Sequence, residues 1–105
     1  MYKIEKLTVK NRCEIPVDAV VEIEVNEDVL IEPPYFHPYT YLDTGTNYAT
    51  IHIRKKFAKQ GLLQLVTTPL PEGVWKPLIV VQNNGVSPIE LLKDEEIASV
   101  WIFTS

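Results

Sequence analysis

Apolar and polar residues alternate along most of this chain, and the period is close to two. In "YKIEKLTVK" the apolar positions run from Tyr2 through Ile4 and Leu7 to Val9, with lysines opposite. "AVVEIEVNED" sets Val21, Ile23 and Val25 on one face and Glu22 and Glu24 on the other. "YATIHIRKKF" repeats the pattern, with Ile51 and Ile53 against His52 and Arg54. Successive side chains of a strand point to opposite faces, so each segment predicts a half-buried β-strand. "LLQLV", "LIVVQ", "PIELL" and "IASVWIF" add four more.

Turn signals separate these runs: "IEPPYFHPY", "LDTGTN", "PLPEG", "NNG" and "KDEE". The pair Asn84-Gly85 follows an apolar run and predicts a hairpin turn, since both residue types tolerate positive φ. Only "RKKFAKQGLL" reads as a helical turn. Phe57 and Leu62 would face inward, Lys56 and Lys59 would flank them, and Gly61 would stop the turn. Many short strands with so little helix predict an all-β chain: one jelly-roll-like barrel or sandwich over residues 1–105.

Composition narrows the class. With 105 residues and 46 % apolar content, the chain is large enough for a core and too apolar for disorder. A net charge of -4 gives no general attraction to nucleic acid. One cysteine, Cys13, excludes an intramolecular disulfide, and with only His37 and His52 no cluster has zinc-site spacing. The alternating start is not that of a signal peptide, and no apolar run is long enough to cross a bilayer as a helix. A cytoplasmic setting is therefore expected. Charge is unevenly placed: Glu14 to Glu32 holds seven acids and no bases, Arg54 to Lys59 four bases and no acids. The two blocks read either as solvated faces or as complementary surfaces across a subunit boundary.

Four phrases stand in order along the second half: "IRKKFAKQGL", "PEGVWKP", "LIVVQNNG" and "SPIELLKDEEIASVWIF". Over residues 54–103 they resemble the trimeric dUTPase and dCTP deaminase superfamily. The family motif G-R-S-S-x-A-R-x-G-L finds Arg54, Ala58, Lys59, Gly61 and Leu62 in matching places, and its loop I-D-x-G-[YF]-x-G aligns with "PEGVWKP". The resemblance implies a β-barrel of dUTPase type that assembles as a homotrimer.

It also implies roles. Glu72 stands for the Asp that activates the water attacking the α-phosphate, which is general-base catalysis. Trp75 stands for the aromatic that packs on deoxyribose, and Arg54, Lys55 and Lys56 fall at the phosphate-binding positions. The departures are as telling. A misplacement of about 1 Å costs on the order of 100-fold in rate, and Glu72 carries one extra methylene. Lysines replace the small hydroxyls, and Pro77 replaces a glycine and brings no N–H. The family's Mg²⁺-holding acidic motif has only the faint "LDTGT" around Asp43, and its glycine-rich C-terminal arm has no counterpart before Ser105. The hydrophobic skeleton is kept and most of the chemistry is lost. Glu72 and Trp75 read first as a tight corner fixed by Pro69, Pro71 and Pro77, and the cations first as a solvated or interfacial patch, ahead of a catalytic or phosphate site.

"PPYFHPYTY" packs Tyr35, Phe36, Tyr39 and Tyr41 between Pro33, Pro34 and Pro38. Stiff aromatic segments suit partner contact, or cover an open barrel end. The expectation is a non-catalytic homotrimeric binding or assembly protein without cofactor, cytoplasmic or virion-associated, of viral or mobile-element type. Its protein contact would be the loop 33–41, with neither membrane nor nucleic acid as partner. The alternative is a reduced nucleotide phosphohydrolase acting on dUTP or dCTP, with Glu72 as base and Mg²⁺ carried in by the substrate. A cupin-like ligand barrel is disfavoured, because its metal site wants several histidines.

Overall fold

The computed structural model describes residues 2–31, 47–65 and 73–103. In chain order its strands are β1 (Tyr2–Thr8), β2 (Cys13–Ile15), β3 (Val20–Glu24), β4 (Val29–Ile31) and β5 (Tyr48–Ile53). The helical turn α1 (Lys55–Lys59) follows, then β6 (Leu62–Gln64), β7 (Gly73–Trp75), β8 (Leu78–Asn83), β9 (Ile89–Leu91) and β10 (Glu96–Phe103). Every strand pairing among the described residues is antiparallel.

Two kinked ribbons organise the molecule. β1 and β2 run against β10 and β9, while β3 and β4 run against β8 and β7. The second ribbon breaks between Glu24 and Val29, opposite Lys76 and Pro77. A proline cannot donate to a ladder, so Pro77 accounts for that break. In the first ribbon the register slips between Leu7 and Thr8. The slip is a bulge, and it lets the neighbours Ile97 and Ala98 both lie buried. A bridge between Val9 and Val25 ties the ribbons together, β5 extends one sheet beside β10, and β6 extends another beside β8.

The core is aliphatic, built from Ile15, Ile23, Val81, Leu91 and Val100 among others, and capped by Phe57 of α1. The single helical turn, its inward Phe57 and Leu62, and its stop at Gly61 all agree with the sequence pattern. Gly61 has φ +100°, a conformation that favours glycine.

Three expectations need correction. Tyr2 and Ile4 do not share the core face with Leu7 and Val9: they point outward with Lys6, because the alternation changes phase inside β1. Asn84-Gly85 closes no hairpin, since the next strand, β9, pairs with β2 instead of β8. Positive φ among the described residues is confined to Asp18, Asp94, Gly61 and Gly73. Arg54 is not a strand residue opposite Ile53 but the residue that opens α1.

Candidate functional site

The basic segment begins where β5 ends. The Arg54 amide donates to the Ile97 carbonyl at 2.8 Å, which turns the chain off the sheet and into α1. Arg54 and Lys55 are exposed and form no ion pair with a described residue. Lys56 is engaged. Its Nζ lies 3.2 Å from Glu95 Oε2 and 5.3 Å from the centre of the Phe57 ring. Glu95 Oε1 in turn accepts from the Leu92 amide at 3.4 Å. Of the three cations at the expected phosphate positions, one is thus tied to a carboxylate of its own chain.

Trp75 sits at the end of β7, half-buried against the core, with its ring nitrogen beside Gly73. Pro77 is buried two residues on. Next to this corner the broken ribbon leaves a cleft of about 360 Å³ lined by Lys10, Glu24, Val25, Lys76, Pro77 and Leu78. Lys10 and Glu24 face each other there at 3.7 Å. Neither this cleft nor a smaller one around Asn11 and Arg12 is lined by Arg54, Lys55, Lys56 or Trp75. Glu72 and the aromatic residues Tyr35, Phe36, Tyr39 and Tyr41 lie outside the described residues, as do Asp43 and His37. No group of three or more His, Cys, Asp and Glu able to hold a metal ion occurs among the described residues.

A surface that the sequence reading missed lies on the outer side of the β1–β10–β5 sheet. Registration sets Tyr2, Phe103 and Tyr48 in one row and Ile4, Trp101 and Thr50 in the next. Tyr2 is 60 % exposed and Ile4 49 %. Tyr2 stacks on Trp101 with centroids 5.7 Å apart, and Tyr48 on Phe103 at 5.0 Å. Cross-strand aromatic pairs of this kind stabilise a sheet by roughly 0.2–1 kcal/mol each. The signal was in the sequence: Tyr2, Ile4 and Lys6 are spaced by two, as are Trp101 and Phe103.

No protein-family model matches this sequence, and no curated protein matches it. Among solved structures, the native dUTPase of EIAV superposes with a TM-score of 0.72. The alignment covers 98 % of this chain and 88 % of that one, at 19 % sequence identity. The fold is dUTPase-like. On this dUTPase-like scaffold the described residues contain no helix long and apolar enough to cross a membrane.

Proposed function

We propose that the chain is a non-catalytic homotrimeric assembly module that uses a dUTPase-like scaffold without its chemistry. The observation that carries the reading is the commitment of Lys56. A side chain expected to meet phosphate is bound to Glu95 and laid over Phe57, as in a wall of the barrel. Half-buried Trp75 and buried Pro77 support the same view, since both serve packing at the corner where the family has its sugar-facing loop. In this reading the loop with Tyr35, Phe36, Tyr39 and Tyr41 faces a protein partner, in a virion or a host cell.

A reduced phosphohydrolase remains the second reading, and one observation favours it: Arg54 and Lys55 are exposed cations without an ion-pair partner among the described residues. Glu72 would be its base, and Mg²⁺ would arrive with the nucleotide. Incubation with dUTP or dCTP and Mg²⁺ separates the two readings. The assembly module releases no pyrophosphate. Release that Glu72→Gln abolishes would establish the hydrolase. Light scattering should return three times the 12.0 kDa monomer mass, and a monomer would reject the trimer.

A further inference from the structure

Two outer sheet faces are open, and they differ in charge. On β1–β10–β5 the rows of Tyr2, Ile4, Trp101, Phe103 and Tyr48 continue into a row of Lys6, Ser99 and His52 without an acid, and Thr8 pairs with Glu96 in the row beyond. Lys6 is exposed and forms no ion pair with a described residue. The rings stand against one another: Tyr2 and Trp101 are parallel to within 10°, and His52 approaches Trp101 at 5.0 Å. One face each of Tyr2 and Trp101, and of Tyr48 and Phe103, is thus spent on the neighbouring ring. A nucleobase needs a free ring face, whereas edges suit a second layer of side chains.

The outer side of β3–β8–β6 is aliphatic and acidic. Val20, Leu63 and Leu78 are about half exposed, at 55 %, 46 % and 52 %. Glu22 lies opposite Val80 and Glu24 opposite Leu78, and no base stands on the three paired strands of that face. Glu22 forms no ion pair with a described residue.

We infer that the aromatic face of β1–β10–β5 docks on the acidic face of β3–β8–β6 of a second copy of this chain. Both faces are three strands wide, and packed sheets interdigitate at about 10 Å. Pairing like with like would gather lysines with lysines, or carboxylates with carboxylates. The head-to-tail pairing sets Lys6 against Glu22, since Glu24 already lies 3.7 Å from Lys10 of its own chain, and opposite charge fixes register and partner. Strands about 4.8 Å apart give each face a footprint of roughly 300 Å². A standard interface buries about 800 Å² per partner, so even two such faces per copy make a concentration-dependent contact. Head-to-tail contacts close into a ring when the rotation allows, and otherwise extend as a filament. The inference names the surfaces of the proposed assembly and rests on that reading only in requiring that copies associate.

The test is light scattering over a range of concentrations on wild type, Lys6→Glu, Glu22→Lys and the double variant. Circular dichroism should be unchanged throughout, because both positions are exposed. Each single variant should weaken association at least tenfold, and the double variant should recover most of the loss. Single variants that assemble like wild type, or a double variant that shows no recovery, would reject this contact while leaving a trimer standing. A wild type that is monomeric at every concentration would overturn both the contact and the assembly reading. Mass that grows without limit, with the same charge rescue, supports the contact and replaces the ring by a filament. Binding of a single-stranded oligonucleotide by the monomer, lost in Lys6→Glu, would assign the face to nucleic acid instead.

Discussion

Gly61 and Gly85 meet back to back where α1 turns into β6. A Cβ on Gly61 would stand 2.5 Å from the Gly85 Cα, and one on Gly85 would collide with the Gln60 carbonyl oxygen. The Asn84 amide donates to the Gly61 carbonyl at 2.8 Å, so the two segments cannot slide apart freely. Gly61→Ala adds left-handed backbone strain of about 1–2 kcal/mol to overpacking of about 1–3 kcal/mol. Chemical denaturation should therefore show a loss of roughly 3 kcal/mol, and somewhat less for Gly85→Ala, whose backbone carries no positive φ. Asn83 beside them is fully buried. Its Nδ2 donates to the Ile15 and Ser87 carbonyls, both at 2.9 Å, and its Oδ1 accepts from the Gly85 amide at 2.9 Å. Asn83→Ala would strand one buried and two partly buried backbone groups at up to about 1–3 kcal/mol each, so a loss near 3 kcal/mol is expected after the outer two rehydrate in part. The phrase "NNG" was legible as punctuation, but its purpose was not. A local rule about turns sees φ; it does not see a second glycine 24 positions away in the chain pressing on the first.

Among the elements, the long strands were legible, and so were the three-residue β6 and β9 in "LLQLV" and "PIELL", but the other three-residue strands were not. β1, β3, β5, β8 and β10 each hold enough residues for a period of two to show; β2, β4 and β7 do not. Those short strands exist because ribbon partners already fixed by β1–β10 and β3–β8 carry them past a kink. The kinks are locked by side chains that sequence alone does not pair. At the β1 bulge, Glu27 accepts from the Thr8 amide at 2.6 Å and from its hydroxyl at 2.5 Å. Asn26 Nδ2 meanwhile reaches the Thr8 hydroxyl at 2.9 Å and Asp94 at 3.0 Å. Hydrogen bonds to a charged group contribute about 1.5–3 kcal/mol, so Glu27→Ala should lower stability by about 2 kcal/mol on chemical denaturation. The Lys56–Glu95 pair belongs to another regime, since the lysine is half exposed. Surface pairs are worth about 0–1 kcal/mol. Lys56→Ala should hence move the denaturation midpoint very little, and a large drop would mean that α1 depends on that pair.

For the molecule as a whole, an all-β chain with one helical turn follows from pattern alone, and the dUTPase-like arrangement follows from the order of phrases after Arg54. The candidate site was less legible for a physical reason. Motif positions name residue types, but whether a cation is free or spent is decided by Glu95, 39 residues downstream of Lys56. The outer aromatic face was hidden by the same limit. Tyr2 and Ile4 look like core residues until the bulge after Leu7 and the partner Trp101 show which side is inward. Nucleotide recognition is accordingly a property to test on the intact fold. A ligand that binds the native state at one hundred times its Kd adds about 2.7 kcal/mol of stability. For a domain of this size each kcal/mol raises Tm by roughly 4–8 °C. A dUTP–Mg²⁺ or dCTP–Mg²⁺ complex that binds would thus shift the melting curve by roughly 10–20 °C at saturating concentration. The assembly module should show no such shift with either nucleotide. A shift that survives in Lys56→Ala and disappears when Arg54 and Lys55 are both replaced by Ala would mean that the scaffold still binds nucleotide through these two cations.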